Sequence, residues 1–340
     1  MGRRGRSALL AVVASLALAA CGTSGTVKPV SVAPPSVLPK GAEIVHPTPP
    51  PADDTSCDPT ASLAPPAVMP TPGQMPAGSW MAHIQDRGYL IVGVDQNTYL
   101  WGYREPTAAN PTGFDIDMLD QVAEAIFGPS YPDHIKYTIV PIADRVQDVQ
   151  KGLVDIVAET MTITCDREKD VDFSTVYYLA GQAILVPNNS TITGPQDLGG
   201  KRVCAAKTST SLQNLVALDM PKHIQLWGVN NNTDCLVMLQ QGQVDAISTD
   251  DTILQGMAAQ DPNMKVLTPT FSVTGGRVIE GESSEPYGMA ISKAHPEFTS
   301  FVNGVLAEVR ANETWAQIYD KWLEKYTGTP APTPPPASYR

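Results

Sequence analysis

The chain has 340 residues, a formal net charge of −12, five cysteines and 31 prolines. So acidic a composition excludes nucleic acid as a general partner, because binding phosphates needs a positive surface. An anionic small ligand stays possible, since local arginines set the potential inside a cleft.

The opening run, MGRRGRSALLAVVASLALAAC, places three arginines before a short apolar stretch. Residues 1–20 therefore read as an export signal, too short for a stable membrane span. Leu18, Ala19, Ala20 and Cys21 resemble a bacterial lipobox, so a lipid on Cys21 would anchor the chain to the membrane. An ordinary secretory signal with a chance cysteine is the alternative. Residues 21–78 are crowded with Pro, Ala, Thr and Ser and read as an extended stalk. The closing run GTPAPTPPPASYR, 328–340, reads as a disordered tail.

Between these ends the pattern alternates. WMAHIQDRG predicts a short helix and YLIVGVD a buried strand, followed by an irregular loop carrying Tyr99, Trp101 and Tyr103. Phe114 to Phe127 has apolar residues at helical spacing (Ile116, Leu119, Val122, Ala123, Ile126) and stops at Gly128 and Pro129. HIKYTIVPI predicts a strand, RVQDVQKG a helix, and LVDIVAET a strand. The same grammar returns as KRVCAAK, SLQNLVALD, HIQLWGV, TDCLVMLQQG and VDAISTDD. Strands alternating with helices imply an α/β fold with mostly parallel sheets and a ligand at the strands' carboxyl ends. The expected lobes are 79–185 and 186–285, with 286–327 returning to the first. Crossovers near 180–187 and 286–292 would form a two-segment hinge.

The strand end after LVDIVAET delivers Thr160, Thr162 and Arg167, with Arg145 one helix earlier. Arginine presents a planar fork of donors that matches a carboxylate, and the hydroxyls add short donors. Arg167 is the leading carboxylate partner; a surface pairing with Glu168 or Asp172 is the bland alternative. His83, His134, His223 and His295 lie outside these loops, so a general acid or base is not in evidence. No Cys/His spacing suggests a metal, and no cofactor is expected.

The segments GFDIDMLDQVAEAIFG and TMTITCDR, followed by GQVDAISTDD, resemble type 2 periplasmic-type solute-binding proteins for polar amino acids. These are the ligand-capturing subunits of ABC importers. The resemblance runs from about Trp80 to Tyr326 and is nearest to actinobacterial glutamine/glutamate-binding lipoproteins. It implies two Rossmann-like lobes with the ligand cleft between them, and capture of glutamate, aspartate, glutamine or asparagine by lobe closure. The implied partner is an ABC permease or, alternatively, a membrane sensor; the binding protein itself is expected to be monomeric and not an enzyme. A dehydratase-like enzyme on the same fold is the alternative from another class.

Residue by residue, the resemblance puts Asp250 on the ligand's ammonium, with Asp251 as the one-residue shift. Ser209 and Thr210 would meet the carboxylate from the second lobe, after a loop whose usual glycine is here Thr208; Lys207 reads as solvated. Arg145 matches the position where acidic-ligand relatives hold the distal carboxylate, and Asp95 the position glutamine binders turn to the amide. The alternatives are that these two pair together, or that Arg145 caps its own helix. Asn232 and Tyr99 (or Trp101) are further possible contacts. Cys204 is expected to pair with Cys235, and Cys57 with Cys165; the alternative is that Cys57 is free or that the pairs are exchanged.

Overall fold

A computed structural model describes residues 37–46, 57–283 and 285–340. The signal segment, Cys21 and the first part of the expected stalk lie outside the described residues. In chain order the first elements are β1 (Glu43–Ile44), β2 (Ala61–Ser62), α1 (Trp80–Arg87), β3 (Leu90–Val94), and the hairpin β4 (Asn97–Thr98) and β5 (Gly102–Tyr103). They continue as α2 (Phe114–Phe127), β6 (Ile135–Ile139), α3 (Arg145–Gln150), β7 (Ile156–Val157), α4 (Cys165–Glu168), β8 (Asp172–Phe173) and β9 (Tyr178–Ala180).

The second set is β10 (Gln182–Pro187), β11 (Arg202–Ala206), α5 (Thr210–Ala217), β12 (Gln225–Val229), α6 (Asn232–Gln240), β13 (Ala246–Asp250), α7 (Asp251–Gln260), β14 (Met264–Thr274) and β15 (Arg277–Glu280). The chain returns through β16 (Glu285–Tyr287) and β17 (Ala290–Ile291), then α8 (Pro296–Ala311), α9 (Thr314–Tyr319), α10 (Lys325–Thr327) and β18 (Ser338–Tyr339).

Local signals explain the placement. Ser79 caps α1 by accepting from Ala82 N, and Gly88 ends it in the left-handed region at φ 88°. In α2, Asp115 and Asp117 occupy the first turn, where the helix dipole favours acids, and Ile116, Leu119, Val122, Ala123 and Ile126 are buried. Leu90, Val92 and Val94 are fully buried, as befits a strand covered on both faces.

Two sheets result. The first lobe's has the order β6-β3-β7-β17-β8, and the second lobe's β1-β12-β11-β13-β10-β14-β15. Only three neighbouring strands of each are parallel (β6, β3 and β7; β12, β11 and β13). Strands entering from the other lobe, β17 and β10, run antiparallel, so the sheets are mixed rather than mostly parallel. β10 is a central strand of the second sheet, which moves the start of that lobe from 186 to about Gly181. The hinge is the antiparallel pair β9 and β16, with Leu179 opposite Pro286.

Both Pro-rich ends are docked, which corrects the reading of 328–340 as disordered and of all of 21–78 as a free stalk. β1 pairs with β12 at the edge of the second sheet. β2 pairs in parallel with β18, and Ser62 donates to Phe173 O at 2.6 Å. The cause is scattered anchors among the prolines. Ala61 and Met75 are buried, Met69 packs on Gly304, and Arg310 Nε holds Pro335 O at 3.0 Å. Disulfides join Cys57 to Cys165 and Cys204 to Cys235. No helix among the described residues is long and apolar enough to cross a membrane.

Candidate functional site

The carboxyl ends of β3, β7, β11 and β13 converge between the lobes on one polar cavity. Arg167 lines it from the first lobe and Asp250 from the second. Every residue expected at the site, except Tyr99, lines the same cavity. Its residual void is ≈ 20 Å³, about the space that one water needs.

The first-lobe wall depends on a tight turn. Thr160 takes a left-handed φ of 42°, and its N–H donates to Asp115 Oδ2 at 2.9 Å. Thr164 caps α4 by accepting from Arg167 N, which aims the Arg167 side chain back at the cleft. Arg167 Nη1 donates to Thr162 O at 2.5 Å, and Nη2 to Thr208 O of the other lobe at 3.1 Å. Burial, then the charge of Arg145, holds the Arg167 pKa down to about 9, against the pull of Glu285 and Asp250. Such a guanidinium gains from an arriving anion.

Arg145 is 5% exposed and donates to Ile142 O at 3.0 Å and Glu159 O at 2.9 Å. The pairing with Asp95 that was weighed for it does not organise this wall. Asp95 instead accepts from Gln96 N at 2.7 Å and from the Thr98 hydroxyl at 2.5 Å, closing the turn after β3.

On the second lobe, Thr208 takes a left-handed φ of 61° at the place where relatives are expected to carry glycine. The sequence therefore keeps the turn at the cost of backbone strain. The Ser209 hydroxyl donates to Ala206 O and accepts from Leu212 N, so it is spent on capping α5. Asp250 accepts from the Tyr287 hydroxyl and, at 3.3 Å, from Ser211 Oγ. Burial, then Glu285, pushes its pKa well above the usual carboxylate range. Asp251 turns away: its Oδ1 accepts from Gly181 N and Thr252 N. Asn232, 9% exposed, opens α6 at the cavity wall. Lys207 is not simply solvated, since it holds Gly41 O and Glu43 beside β1.

The expected contact from Tyr99 is corrected. The left-handed Leu100 (φ 77°) turns the hairpin so that the Tyr99 hydroxyl meets that of Tyr326 at 3.0 Å. Its neighbour Trp101 is fully buried and donates to Thr252 Oγ1 across the lobes at 2.8 Å.

Two carboxylates here were missed by sequence reasoning. Glu159 lines the cavity at 4% exposure, and its Oε2 has no hydrogen-bond partner among the described residues. Burial pushes its pKa well up, opposed by Arg145. Glu285, on the hinge, accepts from Thr162 at 2.6 Å and from Thr210 at 2.7 Å, one hydroxyl from each lobe. Burial raises its pKa as well. The one available signal for Glu159 was its position directly before Thr160.

A family model described as bacterial extracellular solute-binding proteins, family 3, matches residues 90–325. The ABC transporter glutamine-binding protein of Bacillus subtilis is 33% identical over 246 residues, covering 72% of this chain and 85% of its own length. A glutamine-binding protein of Geobacillus stearothermophilus is 38% identical over 211 residues, covering 62% of this chain and 75% of its own. Among solved structures, an ancestral arginine-binding protein bound to glutamine matches with a TM-score of 0.60 and 31% identity, covering 70% of this chain and 98% of its own.

Proposed function

The chain belongs to the bacterial extracellular solute-binding proteins, family 3, and from that membership we propose that it captures a polar L-α-amino acid outside the membrane for an ABC importer. The observation that carries this reading is Arg167 and Asp250 lining one cavity from opposite lobes. The ligand's carboxylate takes the Arg167 fork and its ammonium takes Asp250, whose proton then leaves because a cation favours the ionised form. The void is too small for an amino acid, so the lobes part to admit one. Its bridging contacts then favour closure, because they exist only in the closed form.

Within the expected set of glutamine, asparagine, glutamate and aspartate, the hydrogen-bonding groups of the cavity favour an amide side chain. Asp95, Glu159 and Asp250 line the cavity against only Arg145 and Arg167. A second ligand carboxylate would bring no N–H donor to Asp95 or to Glu159, whose Oε2 has no hydrogen-bond partner among the described residues. Arg145 also has two of its donors occupied by carbonyls, Nε by Ile142 O and Nη1 by Glu159 O. An amide instead offers N–H donors to Glu159 or Asp95 and a carbonyl to Arg145. That distinction supports L-glutamine ahead of L-glutamate.

Thermal melts with each of the twenty amino acids test this, because a tight ligand stabilises the folded state by mass action. L-Glutamine should raise the midpoint most. A larger rise with glutamate would overturn the amide assignment, and no rise with any amino acid would overturn the function.

A further inference from the structure

The turn that carries Arg167 is clasped from outside by the two Pro-rich ends, and that clasp has a consequence for the cleft. Cys57 is bonded to Cys165, the first residue of α4. Four residues later the same arm enters β2, which pairs in parallel with β18 of the tail, and Arg340 N donates to Ser62 O at 2.8 Å. From this position Arg340 Nη1 bonds Ala61 O and Glu168 Oε1, each at 2.9 Å, and Nη2 stands 3.7 Å from Asp172 Oδ1.

Glu168 directly follows Arg167, and Asp172 lies five residues on; both are 8% exposed. A buried carboxylate with no partner is costly, and the cations nearest in sequence are Arg167 and Lys169, of which Lys169 is exposed and already paired with Asp166 at 2.7 Å. The charges acting on Arg167 in the structure are instead those of the cleft, namely Arg145, Glu285 and Asp250.

We propose that Arg340 is a positioning residue of the ligand site: by engaging Glu168 and Asp172 on the outer face of α4, it leaves Arg167 directed into the cleft. The inference rests on the proposed amino-acid function but concerns a contact far from the ligand. Its logic is exchange of partners. Without Arg340 the two acids compete with the ligand's carboxylate for one guanidinium. The disulfide and the β2–β18 pairing keep the arm and tail in register, so the exchange is local to the α4 turn. Arg310, through Pro335 O, and Asp320, through Ala331 N, hold the intervening tail independently of Arg340.

The test is calorimetric titration of L-glutamine into the full chain, Arg340→Ala, Arg340→Lys, and Arg340→Ala combined with Glu168→Gln and Asp172→Asn. Arg340→Ala should weaken binding on the order of tenfold, as coupled neighbours do. Arg340→Lys should recover part of the loss. The triple variant should return to within about twofold of the parent, because no acid remains to draw Arg167 away. A purely structural tail would show no such rescue. Parent-like affinity in Arg340→Ala, or a triple variant no better than it, overturns the inference. If the parent binds no amino acid, the functional reading fails separately, and amide hydrogen exchange across 164–171 decides: faster exchange in Arg340→Ala, reversed in the triple variant, upholds the clasp, and unchanged exchange refutes it.

Discussion

Asp115 is buried on the first turn of α2, accepting from Thr160 N at 2.9 Å and from the Tyr177 hydroxyl at 2.6 Å. Burial pushes its pKa up to about 7, more than these two hydrogen bonds and Arg145 pull it down. Its ordinary value is 3.8, so the folded form binds the extra proton between about pH 4 and 7. Stability from this group is therefore present at the acid end, is lost as pH rises through the window, and is flat above it. Asp115→Asn should make the fall in melting temperature between pH 5 and 8 shallower, by up to one proton, or about 1.4 kcal/mol per pH unit. Melts across that range check it; an unchanged slope would contradict the assignment. The same scale shows why the acids were hard to read. Arg167 stood out because a strand end and neighbouring hydroxyls marked it, and Asp250 because the family resemblance points to it. Glu159 and Glu285 look like ordinary surface acids in the sequence, and only the fold buries them, at 4% and 2% exposure.

Among the elements, α7 best reports how the lobes meet. A Cβ at Gly256 would lie 2.5 Å from the carbonyl oxygen of Tyr99, on the first lobe's hairpin. The same seam carries the Trp101 to Thr252 bond, and Thr233 donates to Asn97 O at 3.1 Å. Gly256 lies inside a helix, where alanine is intrinsically better by roughly 1 kcal/mol. Gly256→Ala should therefore leave the ligand-free melt unchanged or raise it, while weakening L-glutamine binding because the seam cannot close fully. Calorimetry beside thermal melts separates the two effects, and undiminished affinity would mean that the seam is not part of the binding-competent form. The strands and helices on either side of this seam were legible in the sequence, because apolar spacing and glycine stops are local. Tyr99 was misplaced because the left-handed Leu100 that turns its ring away carries no sequence mark. The docking of β1, β2 and β18 was illegible for a different reason: proline-rich runs carry no periodicity, and their anchors are single residues.

Over the whole molecule, two of the cavity-lining loops are braced by segments from outside the lobes. Lys207, beside the strained Thr208, is held by Gly41 and Glu43 of the N-terminal arm. The α4 turn is held by Cys57 and Arg340. The Cys57–Cys165 bridge spans 108 residues, whereas Cys204–Cys235 spans 31 and ties β11 to α6 within one lobe. This bracing fits a receptor whose lobes move as rigid bodies about β9 and β16 while the binding loops keep their shape. The central claim is that a zwitterion is held by opposite charges on the two lobes. The most direct measurement is calorimetric titration of L-glutamine into the parent chain, Arg167→Ala and Asp250→Asn, with each variant's melt recorded. The account predicts cooperative melts for all three and a loss of about 2–5 kcal/mol of binding free energy in each variant. Parent-like affinity in either folded variant would contradict it.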